Sequence, residues 1–196
     1  MPGPGPGPVT VGVLLAAGRS ERFGAADKLL ATFRGIPLVC HAANAMASAG
    51  LTHRVAVTSS GDVARLVDPL CDRVITQASA AMSGTIRNGV AQARELGAER
   101  LLLVLGDMPF VTAAMLDRLV ARCTDDSPAA LTDGARIVPP ACFPSADFDA
   151  LSALDGDRGA RDRLCRLPPS ACVRVPGPAL VDIDDEAALA RWDRAG

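Results

Sequence analysis

The chain has 196 residues, 49% of them hydrophobic, and a formal net charge of −2. That length and apolar content suit one domain with a sizeable core, and a charge so near zero excludes nucleic-acid binding driven by a basic face. No stretch reaches the roughly 18 consecutive apolar residues of a membrane span, so neither nucleic acid nor membrane is an expected partner.

Residues 1–8 alternate proline and glycine, without the basic start and apolar centre of a secretion signal. They read as a disordered lead-in to a single domain over residues 9–196. Residues 9–15 predict a buried strand. The apolar run stops at small residues, Ala16-Ala17-Gly18-Arg19-Ser20-Glu21-Arg22-Phe23-Gly24, and Lys28 follows. Small residues let the backbone approach an anion and aim N–H groups at it. Arg19, Arg22 and Lys28 can supply charge for a triphosphate. Two commoner phosphate motifs are excluded. Gly24 is followed by Ala25-Ala26, not the Lys-Ser/Thr of a P-loop, and no glycine lies between Gly18 and Gly24 as a Rossmann fingerprint requires.

Residues 37–49 predict a helix, with Pro37 in its first turn and Gly50 closing it. A strand is expected at 54–58, a helix at 62–70 and a short strand at 72–76. A helix follows at 83–96, stopped by Gly97. Residues 100–105 form a continuous apolar strand, the kind buried on both faces. Thr112 caps the next helix, to about Arg122. Strands at 129–132 and 136–143 flank a turn at Asp133-Gly134. Helices at 147–154 and 159–164, a strand at 171–175 and a terminal helix over 184–194, capped by Asp184, complete the chain. This alternation predicts an α/β fold of three layers, Rossmann-like, with a mostly parallel central sheet and ligands beyond the carboxyl ends of its strands.

Leu103-Val104-Leu105-Gly106-Asp107-Met108-Pro109 sets a carboxylate at such an end. Thr112 already caps the following helix, so Asp107 is spare. Facing a triphosphate it would repel it unless a cation sat between them, and Mg²⁺ is the natural choice. Asp157 and Asp182 are further candidates for the metal or acceptor site, Arg87 for a phosphate contact, and Ser59 and Gln77 for a base pocket. Trp192 reads as core packing. The six cysteines include no C-x-x-C pair. They suit reduced, buried thiols in a cytoplasmic protein and argue against structural zinc and a catalytic thiol.

With these residues in view, the sequence resembles the nucleotidyltransferases that complete the molybdenum cofactor, and within them the cytidylyltransferase branch. The resemblance rests on Leu15-Ala16-Ala17-Gly18-Arg19-Ser20-Glu21-Arg22-Phe23-Gly24, Lys28-Leu29-Leu30, Gly35-Ile36-Pro37-Leu38 and Met82-Ser83-Gly84-Thr85-Ile86-Arg87-Asn88-Gly89. It continues through Leu105-Gly106-Asp107-Met108-Pro109, Gly156-Asp157-Arg158-Gly159-Ala160-Arg161 and Val181-Asp182-Ile183-Asp184. The guanylyltransferase branch usually reads Leu-Ala-Gly-Gly at the first motif. Ala17 before Gly18, and Met82-Ser83-Gly84, lean toward CTP. The cytidylyltransferases commonly carry Gly-His-Pro where this chain has Arg136-Ile137-Val138-Pro139-Pro140-Ala141-Cys142-Phe143. That departure falls where an acceptor could dock and leaves the acceptor open.

The resemblance implies that Ala16, Ala17, Gly18, Arg22 and Lys28 bind the triphosphate, that Ser83 helps hold the nucleotide and that Asp107 meets it through the metal; Leu15, ahead of the loop, and Arg87, one turn into the Ser83 helix, are counted with the nucleotide site from their positions. Arg22, Lys28 and Asp107 carry catalysis and Asp107 holds Mg²⁺; Asp182, from its position past an apolar strand, is the candidate second ligand. The resemblance also implies transfer of CMP from CTP to the phosphate of molybdopterin with release of pyrophosphate, and a molybdenum oxidoreductase as a possible partner. The alternatives are a guanylyltransferase, another NTP transferase with a different phosphate acceptor, or a cofactor-escort protein without activity.

Overall fold

The computed structural model describes residues 7–18, 23, 27–78, 81–156 and 160–194. Most of the lead-in, Arg19 to Arg22, Gly24, Asp157 and Gly159 lie outside the described residues.

In chain order the elements are β1 (Thr10–Ala16), the short pair β2 (Thr32–Phe33) and β3 (Ile36–Pro37), α1 (Leu38–Ser48), β4 (His53–Thr58), α2 (Gly61–Val67) and β5 (Arg73–Thr76). Then come α3 (Met82–Glu95), β6 (Arg100–Leu105), α4 (Ala113–Arg122), β7 (Ala129–Thr132) and β8 (Ile137–Pro144). The chain ends with α5 (Phe148–Ser152), α6 (Arg161–Leu164), β9 (Cys172–Arg174) and α7 (Glu186–Asp193). No described helix is long and apolar enough to cross a membrane.

Seven strands make the central sheet in the order β5-β4-β1-β6-β8-β7-β9. Only the pairings of β8 with β6 and β7 are antiparallel, so the sheet is mostly parallel, as expected. The period of two along β1 divides its side chains between two cores. Leu14 and Ala16 pack with α1, α2 and α4 on one face; Val11, Val13 and Leu15 pack with α3 and α5 on the other. Both faces are therefore dry, which is why β1 and β6 read as unbroken apolar runs.

The topology also locates the site. After β1 the chain builds outward to β4 and β5, then returns to place β6 on the opposite side of β1. The crevice between the carboxyl ends of β1 and β6 is the topological switch point, where open parallel sheets bind ligands. Leu15 pairs with Leu105, and the Gly106 amide donates to the Leu15 carbonyl at 3.0 Å. The loop after Ala16 and the carboxylate after Gly106 therefore leave the sheet side by side.

The C-terminal region departs from expectation. The strand expected at 171–175 is only Cys172–Arg174, and a 3-10 turn, Gly177–Leu180, separates it from Asp182. Asp182 thus reaches the site from a turn rather than from a strand end. Asp184 does not cap the last helix. Asp185 does, accepting the Ala188 amide at 2.7 Å.

Candidate active site

At the switch point, Leu15, Ala16 and Ala17 are buried, while Gly18 is exposed with open space where a Cβ would project. A bare, accessible backbone at the end of a strand is what close approach of a phosphate needs. The next strand contributes Ser59, whose hydroxyl donates to the Ala17 carbonyl at 3.4 Å.

Lys28 opens a 3-10 turn, Lys28–Leu30, capped by Asp27, whose carboxylate accepts the Leu29 amide at 3.0 Å. The turn buries Lys28 to 8% exposure and directs its ammonium inward. There it donates to Asp107 Oδ2 at 2.7 Å and to Asp184 Oδ1 at 2.9 Å. Asp107 is largely buried, and its other oxygen, Oδ1, has no hydrogen-bond partner. Asp182 and Asp184 flank Ile183, whose amide donates to the Asp107 carbonyl at 3.0 Å. Lys28 thus bridges two carboxylates, Asp107 and Asp184, on two segments, and Asp182 adds a like charge beside Asp107.

The electrostatics follow. Burial pushes the Asp107 carboxyl up, the Lys28 ammonium pulls it down, and the like charges of Asp182 and Asp184 push it up again; the net direction is up. Burial works against the Lys28 charge, but Asp107 and then Asp184 outweigh it, and the ammonium is held above its usual range. Lys28 is therefore charged at neutral pH. The surplus of negative charge, with one buried carboxylate oxygen unpartnered, is the donor set of a divalent cation. Among the described residues no three His, Cys, Asp or Glu side chains form a closed cage. An ion of the Mg²⁺ kind takes only one or two carboxylates and completes its shell with phosphate oxygens and water. Asp107, Asp182 and Asp184, the last two close enough to press on the first, are the carboxylates present here for such an ion.

The other sequence candidates fall into three groups. Ser83 is buried in the first turn of α3, which starts beyond Ala81 without a side-chain cap, and its amide donates to the Gly156 carbonyl at 3.2 Å. Gln77 is tied to the same helix: it donates to Thr85 Oγ1 at 2.8 Å and accepts from Asn88. Arg87 is drawn elsewhere. Its guanidinium donates to the carbonyls of Ser152 and Leu154, at 3.2 and 3.3 Å, completing the C-terminal end of α5 rather than meeting Lys28 and Asp107. Free helix-end carbonyls attract a cation, and the neighbouring α5 supplies them. Arg22 and Asp157 lie outside the described residues. Asp184 is the site residue that the sequence assigned to a helix cap instead. Trp192 packs with Phe110, Ala188 and Leu189 around a small third core, as expected.

Beside Asp182 the sheet opens into a cavity of about 460 Å³ lined by Leu105, Met108, Arg136, Pro139 and Cys165 among others. Arg136 is anchored at its wall, donating to the Leu180 carbonyl at 3.0 Å.

Residues 12–170 match the MobA-like NTP transferase domain, and the chain belongs to that family. It is 30% identical over 166 residues to the purine catabolism protein PucB of Bacillus subtilis, covering 79% of this chain and 80% of that protein. It is 34% identical over 113 residues to a molybdenum cofactor guanylyltransferase of Rhodobacter capsulatus, covering 56% of this chain and 57% of that protein. Among solved structures it is similar to a nucleotidyl transferase of Methanothermobacter thermautotroptrophicus, with a TM-score of 0.78 at 23% identity over 97% of this chain and 100% of that one. A Mycobacterium tuberculosis protein solved as a complex with manganese gives a TM-score of 0.75 at 23% identity, over 95% of this chain and 99% of that one. The fold is thus shared with nucleotidyltransferases.

Proposed function

We propose that the Lys28–Asp107–Asp184 site transfers a CMP group from CTP to the terminal phosphate of molybdopterin, releasing pyrophosphate, with Mg²⁺ as the metal. Family membership makes the chain a nucleotidyltransferase; the donor, the acceptor and the ion are what this proposal adds. The observation that carries it is the Lys28 ammonium shared by Asp107 and Asp184 while Asp107 Oδ1 lies buried without a partner.

In the proposed step an oxygen of the acceptor phosphate bonds to the α-phosphorus of CTP. The bond from that phosphorus to the bridging oxygen breaks, and pyrophosphate leaves with the electron pair. A phosphate monoester has a second pKa near ~6, so the nucleophile is anionic at neutral pH and needs no strong base. Among the described residues that form the Lys28–Asp107–Asp184 site there is no histidine or thiol to act as one. Its task is to hold two anions together and neutralise the charge that develops between them. The backbone from Leu15 to Gly18 cradles the phosphates. Lys28, with Arg22 assigned by the resemblance, balances the α-phosphate and the leaving group. Asp107 and Asp184 would hold the divalent ion, which supplies further neutralisation of phosphate oxygens; the manganese complex of the mycobacterial structure supports a divalent ion. The cavity beside Asp182 offers the acceptor an apolar floor with Arg136 at its edge.

A second reading replaces CTP with GTP or molybdopterin with another phosphate acceptor. The Rhodobacter capsulatus guanylyltransferase supports the first change, and PucB, named for purine catabolism, supports the second. Ala17 and Met82-Ser83-Gly84 support cytosine. The test is pyrophosphate release with Mg²⁺ and molybdopterin from each of CTP, GTP, ATP and UTP. Release from CTP above the others is expected. Release from GTP alone moves the donor to the second reading, and release from none of them overturns molybdopterin as the acceptor.

A further inference from the structure

Arg34 is the only described non-glycine residue with positive φ, at +46°, and Gly35 beside it is at +86°. Together they make the tight turn between β2 and β3. A side chain other than Gly, Asn or Asp is uncommon in that conformation. Arg34 occupies it while reaching across the surface to α7. Its backbone amide donates to Asp193 Oδ1 at 2.6 Å, and its guanidinium donates to the Trp192 carbonyl at 3.3 Å. The same guanidinium lies 5.0 Å from the Phe110 ring centre and 5.4 Å from that of Phe33. Phe110 in turn meets Trp192 edge-on at 5.4 Å.

This cluster draws on every segment of the site. Phe23 belongs to the loop after β1, Phe33 follows Lys28, Phe110 follows Asp107, and Ile183 sits between Asp182 and Asp184. No residue of α7 is itself buried. The helix is fastened by Arg34, by Trp192, whose Nε1 is enclosed without a partner, and by partly buried Ala188 and Leu189. Among the described residues, the 182–184 segment gives no member to the two main cores; Ile183 packs in this third cluster and donates its amide to the Asp107 carbonyl.

We propose that Arg34 and Trp192 are positioning residues: by pinning α7 to the Phe33–Phe110 cluster they hold Asp184 opposite Asp107 in the geometry that binds a divalent cation. This inference rests on the assignment of Lys28, Asp107 and Asp184 as the site. It explains why a strained arginine stands at a turn that glycine or asparagine would fill at less cost.

The test uses the full chain, which has one tryptophan and no tyrosine, so its emission reports Trp192 alone. Wild type and Arg34→Asn, which keeps a residue tolerant of positive φ, are titrated with MgCl₂ in the presence of CTP, and in parallel with GTP, with molybdopterin added as acceptor wherever pyrophosphate release is followed. Trp192 emission, melting temperature and pyrophosphate release are followed. Trp192→Ala and Trp192→Phe are followed by melting temperature and release. Outer-shell partners of a metal site typically matter by about 10- to 100-fold in affinity. Half-saturating Mg²⁺ is expected to rise by that factor in Arg34→Asn and Trp192→Ala, with the main unfolding transition retained. Trp192→Phe, which keeps the apolar contact, restores it to within a few-fold of wild type. An unchanged Mg²⁺ requirement in both Arg34→Asn and Trp192→Ala overturns the proposal. So does an equal loss in Trp192→Phe and Trp192→Ala. Wild type that binds Mg²⁺ but releases no pyrophosphate sinks the transfer reading alone; the emission titration of Arg34→Asn and the Mg²⁺ dependence of the melting temperature in the Trp192 variants still decide the positioning roles. Wild type that binds no Mg²⁺ overturns both.

Discussion

Lys28 and Asp184 stand 156 positions apart in the chain, and the ammonium of the first donates to a carboxylate oxygen of the second across 2.9 Å. That contact closes the site: it joins the turn after β1 to the segment ahead of α7, with Asp107 between them. Asp184 is half-exposed, so its pairing contributes little to stability, on the order of 1 kcal/mol or less. Asp184→Asn should therefore leave the melting temperature nearly unchanged while lowering turnover about a hundredfold, the usual effect of losing one pre-placed charge. Asp185→Ala should show the reverse emphasis, about 1 kcal/mol of stability lost with the helix cap and a much smaller loss of rate. Thermal denaturation beside pyrophosphate release separates the two, and a larger rate loss in Asp185→Ala would reassign their roles.

Lys28 and Asp107 form a more deeply buried pair, and breaking it has a different signature. Lys28→Met strands the Asp107 carboxylate among carboxylates, a defect that typically costs about 3–5 kcal/mol. Adding Asp107→Asn removes the stranded charge, so the double variant should recover part of the loss in urea denaturation. Additive losses would mean that the two side chains do not interact as the 2.7 Å contact indicates. Both single variants should transfer at least about a hundredfold more slowly than wild type.

Much of this architecture was legible in the sequence, for identifiable reasons. β6 and β7 were expected at the residues where they occur, because an unbroken apolar run ending at Gly106 and a turn at Asp133-Gly134 leave little choice of boundary. Asp107 stood out because Thr112 already capped the following helix, which it does. Asp184 was misassigned because three aspartates crowd residues 182–185, and any of them could cap α7. Ile183 decides among them: it is fully buried and bound to the Asp107 carbonyl, which brings the carboxylates on either side of it to bear on the site and leaves Asp185 for the helix. Arg87 could not be placed from its own helix, because the carbonyls it satisfies belong to α5. The β2–β3 hairpin, with strands of two residues each, is too short for any periodicity to show.

The packing of α3 against β1 sets where Ser83 sits, and one glycine permits it. A Cβ at Gly89 would lie 2.7 Å from Val13 Cγ1, whereas one at Gly84 would meet nothing within 4 Å. Val13 is β-branched and fully buried, so it cannot rotate away at low cost. Gly89→Ala should destabilise the fold by about 1–3 kcal/mol through overpacking, exceeding its gain in helix propensity. Gly84→Ala should be neutral or stabilising by up to about 1 kcal/mol. Chemical denaturation of the two variants checks the contrast, and equal effects would place α3 farther from the sheet.

The cysteines offer a probe of the acceptor cavity. Burial, then the negative charge of Asp72, pushes the Cys71 thiol up to about 11, so it should resist alkylation at pH 8. Cys165 is exposed and lines the cavity beside Asp182. Iodoacetamide at pH 8 should therefore modify Cys165 well before Cys71, as peptide mass mapping would record. If the cavity receives the acceptor, the added carboxamidomethyl group fills part of it and raises the KM for acceptor. The nucleotide-induced thermal shift should persist, because Lys28, Asp107 and the backbone of residues 15–18 are untouched. Cys165→Ser, treated identically, should keep its wild-type KM after the reagent. Loss of acceptor turnover in the treated Cys165→Ser protein would trace the inhibition to another thiol and remove this support for the cavity as the acceptor site.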